Sequence, residues 1–385
     1  MTNIDKPSRI LCVVGARPNF MKIAPIMRAF NHPSLNLSAC LLHTGQHYDE
    51  AMKKSFFDQL QIPEPDIDLG VGSGTHTMQT AEIMKRFEPV LDEVQPKAIL
   101  VVGDVNSTIA CALVAVKKNI PIIHVESGLR SGDRTMPEEI NRVLTDQISD
   151  LLFTTEKKAE LNLIKEGIEP KRIHFTGNVM IDTLMFNLDQ AVPAVNTLEK
   201  FCASQQNAKK IPDISNGYGL VTMHRPSNVD DPAVLERLLN VLAQVGKKLP
   251  LIFPIHPRTQ NTIIEAGLGS LINGPEFFCL PPLGYLDMLG MMKGAKLVLT
   301  DSGGLQEETT ALGVPCITLR ESTERPITAE EGTNTIVGND SEKILACVSR
   351  TLETGGKSGM IPELWDGKAA ERIAKIISDW VKTLS

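Results

Sequence analysis

Four carboxylates stand out in the stretch from Val101 to Arg142, VVGDVNSTIACALVAVKKNIPIIHVESGLRSGDRTMPEEINR. Asp104 follows the apolar run Ala98 to Val102, Glu126 follows Ile120 to Val125, and Glu138 and Glu139 follow Pro137 in a loop that also holds Arg130, Asp133 and Arg134. Carboxylates collected at one sheet edge suit paired general acids and bases, one taking a proton while another delivers it. Each has a plainer reading: Asp104 caps the helix that starts near Ser107, and the two glutamates favour a helix N-terminus. Taken together they point to a site.

Cations come from both halves of the chain. Arg17 and Lys22 flank the start of an apolar-periodic helix, where free backbone N–H groups already attract an anion. VTMHRPSN sets His224 and Arg225 at a strand end, and FPIHPR repeats the arrangement with His256 and Arg258. The strongest local signal is LVLTDSGGLQEE, from Leu297 to Glu308. A strand delivers Asp301 and Ser302 to a Gly303–Gly304 turn that opens a helix. Glycines let a diphosphate approach the backbone N–H groups, Ser302 adds a hydroxyl, and Glu308, a turn on, suits ribose hydroxyls. The plain alternative is a strand-to-helix turn capped by Ser302. Arg320 and Arg325 follow nearby. The glycines of GVGSGTH lack the spacing of a dinucleotide fingerprint, so a nicotinamide cofactor is not indicated. His43 and His47 of HTGQH lack the glutamate of a zinc helix, and a metal is not expected.

Alternating strands and helices must position these groups. Strands are expected at Ile10 to Val14, Leu37 to His43, Ala98 to Val102, Ile120 to Val125, Leu151 to Thr154 and Arg172 to Phe175. A second series starts at Gly219 to Met223 and continues through Leu251 to Ile255, Phe277 to Leu280, Lys296 to Thr300, Pro315 to Leu319 and Thr335 to Val337. Helical patterns fill the gaps, including Tyr48 to Leu60 and His76 to Val94. This is an α/β chain of two Rossmann-like domains with a cleft between them, of the glycosyltransferase-B type. The expected divisions are 1–190, a linker at 191–217, 218–367, and a C-terminal helix at 368–385 able to pack back on the first domain.

The 385 residues suffice for two cores, and the 42% hydrophobic and 22% charged content is that of an ordinary soluble protein. A net charge of -7 argues against nucleic-acid and anionic-membrane partners. Seven scattered cysteines without a CxxC pair, and no signal peptide or membrane-spanning run, read as reduced thiols in the cytoplasm.

GARPNFMKIAP, GDVNST, HVESGLRSGDRTMPEEINR, the HR of VTMHRPSN, LTDSGGLQEE and TERP together resemble the UDP-N-acetylglucosamine 2-epimerases, chiefly the non-hydrolysing type. The resemblance runs from about Arg9 to Arg372. It implies catalytic positions at Asp104, Glu126, Glu138 and His224. It implies nucleotide or substrate contacts at Arg17, Lys22, Arg142, His256, Ser302, Gly303, Gly304, Glu308 and Arg325, and a homodimer. Three features depart from common family patterns: Ser227 stands where many members carry a glutamate, TGQHYDEAM differs from the version tied to allosteric substrate binding, and Met288 replaces an aromatic residue near the uracil.

The chemistry suits the residues. The C2 proton of an N-acetylhexosamine is not next to a carbonyl, but rupture of the C1–O bond to UDP makes it acidic. Elimination gives 2-acetamidoglucal and UDP, and re-addition after protonation from the other face inverts C2. No cofactor is required. Asp104 and Glu126 are the expected proton-transfer pair, with Glu138 supporting the cation; which of the pair is acid and which base stays open. Alternatives are a UDP-2,3-diacetamido-glucuronate 2-epimerase, a hydrolysing enzyme releasing N-acetylmannosamine, and a UDP-sugar-binding regulator without turnover.

Overall fold

Short runs of aliphatic side chains, buried on both faces, form the strands of two parallel sheets. The computed structural model describes residues 7–46, 57–203 and 211–384. The chain divides into two units, Met1–Phe186 with Glu363–Ser385, and Asn187–Pro362. The first holds β1 Ser8–Val14, β2 Leu37–His43, β3 Ile67–Asp68, β4 Ala98–Val102, β5 Ile122–Ser127, β6 Leu151–Thr154 and β7 Ile173–Phe175. Their order is β3-β2-β1-β4-β5-β6-β7, all parallel. All five residues of β4 are buried, and the helix Asn106–Lys117 packs Ala110, Cys111, Ala112 and Ala115 into the same core as Ile83, Phe87 and Leu91 of the helix His76–Val94.

The second unit holds β8 Gly219–Thr222, β9 Leu251–Pro254, β10 Phe277–Leu280, β11 Leu297–Thr300, β12 Cys316–Thr318 and β13 Asn334–Ile336, in the order β10-β9-β8-β11-β12-β13. Each sheet reverses direction once, between β1 and β4 in the first and between β8 and β11 in the second. Open α/β sheets bind ligands beyond the carboxyl ends of the strands at that point.

Several elements differ from expectation. Residues 191–217 include the helix Ala194–Ala203, which buries Ala194, Thr197 and Leu198 within the second unit, so that part is not a plain linker. Pro257–Glu265 is a further helix, started by proline and capped by His256. β3 spans too few residues to show a period. Residues 48–56 of the helix expected from Tyr48, and His47, lie outside the described residues. β5 runs on through Glu126 to Ser127. Among the described residues no helix is long and apolar enough to cross a membrane.

The end of the chain is tied into the first unit by polar groups. Trp365 is buried and donates from Nε1 to the Thr155 carbonyl (3.0 Å). Asp182 accepts from the backbone N–H of Ala369 (3.1 Å) and Ala370 (2.7 Å), the first turn of the helix Ala369–Val381. Burial raises the Asp182 pKa from 3.8 to about 6, against the opposing pull of those two N–H groups. Because the folded-state value lies above the unfolded one, this stabilisation is complete below pH 3.8 and lost as pH rises through about 6. Asp182→Asn removes that titration. Urea unfolding of variant and parent should therefore show their difference moving in the variant's favour by about 3 kcal/mol between about pH 3 and 7.

Candidate functional site

In the first unit the charged groups meet at the reversal between β1 and β4. Lys22, one turn into the helix Arg17–Phe30, donates from Nζ to Glu126 Oε1 at 2.7 Å, with both side chains buried. Glu126 is a non-glycine residue at φ 69°, and the β5–β6 register shifts between Val125 and Ser127. The left-handed conformation is unfavourable for a residue with a Cβ, and such strain gathers at functional sites. Here it lies on a bulge that re-aims the side chain. Gly103 follows β4, and its N–H bonds the Val125 carbonyl of β5 (3.0 Å). Its φ of 65° favours glycine, and a Cβ there would lie 2.8 Å from Lys22 Nζ.

Asn19 closes the turn after β1, accepting from Gly15 N (3.0 Å) and Ala16 N (3.1 Å) and donating to the Val102 carbonyl (2.9 Å). Arg17 opens the helix, half-buried.

Asp104 does not cap the following helix: the N-cap is Val105, without a side-chain cap bond. Instead Asp104 Oδ2 accepts from Arg142 at 2.6 Å, and Arg142 also pairs with Glu139. Arg142 is thus buried between two carboxylates of its own unit. Burial works against ionisation of Glu139, but the N–H groups of Ser131 and Gly132 and the charge of Arg142 hold its carboxyl below the ordinary value. Asn141 donates to the Asp104 carbonyl (2.9 Å). Glu138 is half-buried in the first turn of the helix Pro137–Ile148.

In the second unit the centre is a carboxylate that local sequence places only at a strand end. Asp301, fully buried just after β11, accepts from the backbone N–H of His224 (3.0 Å) and Arg225 (2.9 Å) and from Asn228 Nδ2 (3.2 Å). It also pairs with His224 Nδ1 at 3.0 Å. Burial would raise its pKa, but the His224 side chain and the two N–H groups bring it below the ordinary value. His224 is left half-exposed, with its ring 5.5 Å from that of the exposed His256. His256 Nδ1 accepts from Arg258 N (3.2 Å) as a helix cap.

Ser302 is the N-cap residue of the helix Gly303–Leu312, yet its side chain makes no cap bond. The turn is fixed from below, where Thr300 Oγ1 accepts from Ser302 N (2.9 Å) and bonds Thr222 Oγ1 (2.7 Å). A Cβ on Gly303 would lie 2.6 Å from Glu324 Oε1. Gly304 follows, half-buried. Glu308 is buried and accepts from Tyr285 OH (3.0 Å), and Arg325 is buried against Glu307 (2.8 Å). Among the described residues no group of three or more His, Cys, Asp or Glu side chains converges as a metal site requires.

Asn19, His124, Asp146 and Glu324 bind this framework together and were not singled out from the sequence. Glu324 pairs with Arg320 (2.8 Å) and Arg225 (3.5 Å). Burial would raise its pKa, but the charges of Arg325, Arg320 and Arg225 bring it from 4.5 down to about 2. That stabilisation is present above pH 4.5 and is lost as pH falls through about 2. Glu324→Gln should lower the unfolding free energy at pH 7 by on the order of 3 kcal/mol. In guanidinium titrations the gap from the parent should close as pH falls from 4.5 toward 2.

Comparison with known proteins is consistent across the chain. The family model described as UDP-N-acetylglucosamine 2-epimerase matches residues 30–378. A UDP-N-acetylglucosamine 2-epimerase of Methanococcus maripaludis is 43% identical over 349 residues, 90% of this chain and 92% of its own. A UDP-2,3-diacetamido-2,3-dideoxy-D-glucuronate 2-epimerase of Pseudomonas aeruginosa is 38% identical over 374 residues, 96% of this chain and 99% of its own. The crystal structure of the Methanocaldococcus jannaschii UDP-GlcNAc 2-epimerase in complex with UDP-GlcNAc and UDP aligns with a TM-score of 0.86 at 39% identity, covering 96% of this chain and 99% of that one. Its parallel strand orders, its charged groups at both sheet reversals and these matches agree: the chain belongs to the UDP-N-acetylglucosamine 2-epimerase family.

Proposed function

We propose that this protein interconverts UDP-N-acetylglucosamine and UDP-N-acetylmannosamine by eliminating and re-adding UDP. The observation that carries the reading is the concentration of acid–base and cationic side chains where each Rossmann-like sheet reverses its strand order. The 43% identical relative named for this activity supports it.

The second unit takes the nucleotide. The diphosphate binds the N-terminus of the helix Gly303–Leu312, where Ser302 keeps its hydroxyl out of the cap and Gly303 and Gly304 give access to backbone N–H groups. Arg225, whose Nε is buried without a hydrogen-bond partner among the described residues, adds positive charge. His224, oriented through Nδ1 by Asp301, offers Nε2 to the phosphate oxygen that leaves C1. Arg17, His256, Glu308 and Arg325 complete the nucleotide and substrate contacts. Lys22 and Arg142 contact the substrate while holding Glu126 and Asp104.

The first unit supplies the proton chemistry. As the C1–O bond breaks, its electron pair leaves with UDP and a carboxylate removes the C2 proton, giving 2-acetamidoglucal. Protonation of C2 from the opposite face and attack of UDP on C1 complete the inversion. Asp104 and Glu126 form the proton-transfer pair, and Glu138 stabilises positive charge at C1. The same reading makes the protein a cytoplasmic homodimer.

A proton NMR time course in deuterated water with UDP-N-acetylglucosamine should show deuterium entering C2 as the UDP-N-acetylmannosamine anomeric signal grows. Free N-acetylmannosamine with UDP would identify hydrolysis instead. Turnover only of UDP-2,3-diacetamido-glucuronate would shift the substrate assignment. Asp104→Asn should slow C2 exchange by about 100-fold or more with the UDP dissociation constant nearly unchanged. Ser302→Ala should have the opposite pattern, weakening UDP by roughly 10-fold as read by calorimetry.

A further inference from the structure

His124 sits inside β5, fully buried, two residues before Glu126. Its Nδ1 faces Asp146 Oδ1 at 2.7 Å and its Nε2 faces the Gly103 carbonyl at 2.8 Å. A carboxylate and a carbonyl accept, so each ring nitrogen faces an acceptor. Asp146 belongs to the helix Pro137–Ile148, one turn beyond Arg142. It also accepts from Gly128 N (3.0 Å) and Arg130 (2.7 Å), so it is a fixed anchor. The Gly103 N–H bonds the Val125 carbonyl (3.0 Å), while the following residue is Asp104.

One imidazole therefore ties together the β4 end, the β5 bulge and the helix that carries Glu139 and Arg142. We infer that His124 is a positioning residue: by holding the Gly103 carbonyl it fixes the turn that aims Asp104 and keeps that turn clear of Lys22. This inference rests on the proposed epimerase reading. Asp104 is also fixed from its side-chain end by Arg142, so its carboxylate is held at both ends. Proton transfer to or from carbon is steeply sensitive to such placement. His124 touches no reacting atom and acts only through the Gly103 turn.

Two amide variants separate the two halves of the clamp. The side-chain nitrogen of asparagine occupies about the place of Nδ1, and that of glutamine about the place of Nε2. His124→Asn thus keeps the bond to Asp146 and loses the one to Gly103, whereas His124→Gln does the reverse. Steady-state kinetics on UDP-N-acetylglucosamine, normalised to folded protein by circular dichroism, should show kcat falling about 100-fold in the Asn variant and less than about 10-fold in the Gln variant. KM and the UDP dissociation constant should stay within about twofold of the parent in both.

Equal kcat values in the two variants, or the reverse order, would overturn the inference and leave His124 as a packing element. Should the Asn variant not fold, His124→Phe takes its place as the variant without a donor, with the same expected gap from Gln. A parent protein inactive on every UDP-sugar tested would sink the epimerase reading, and this inference with it. An active parent with indistinguishable variants would sink the inference alone.

Discussion

The buried Lys22–Glu126 pair is the constraint on which the first unit's site depends. It fastens the helix after β1 to the end of β5 across the β4 turn, and it does so with a glutamate in a left-handed backbone conformation. Neither partner is stable there alone, since removing one side of a buried pair leaves an uncompensated charge at about 3–5 kcal/mol. The neighbouring choices follow from it. Gly103 takes a left-handed backbone that glycine allows, with the ammonium close beside it, and the β5–β6 register slips where the carboxylate is presented. Asn19 ties the β1 turn to Val102, keeping the helix that carries Lys22 at its proper height.

The second unit solves a different problem by a similar route. In a chain with a net charge of -7, the proposed diphosphate site needs its positive charge to be local. Glu324 gathers Arg225 and Arg320 beside Gly303, and Glu307 holds Arg325. These pairs hold the guanidinium groups in place, so they lose little side-chain freedom on meeting an anion. Asp301 does for His224 what Arg142 does for Asp104: it fixes the orientation of the side chain.

Much of this architecture was legible in the sequence because apolar runs and helix periods are local properties. Asp104, Glu126, His224 and Ser302 could be assigned to strand ends from nothing more. What escaped depends on partners far along the chain. Asp301 was read as part of a glycine turn, although its four contacts come from residues over 70 positions earlier. His124 lies within an apolar strand run, where a histidine reads as a packing residue, and its meaning comes from Gly103 and Asp146. That Arg142 lies buried between Asp104 and Glu139 is equally invisible locally, since Asp104 is 38 positions earlier. The helix Ala194–Ala203 was hidden by polar sequence and Pro193, because its apolar face is short and is completed by packing within the second unit.

The surroundings also make the two carboxylates of the proposed proton-transfer pair unlike each other. Asp104 shares the Arg142 guanidinium with Glu139, whose carboxyl is held below the ordinary value. Glu126 faces the single ammonium of Lys22 in a buried site. Asp104 is also the more open of the two, with its side chain 20% exposed against 1% for Glu126. The asymmetry follows from which cation each carboxylate shares, one doubly countered and the other bound to a single lysine.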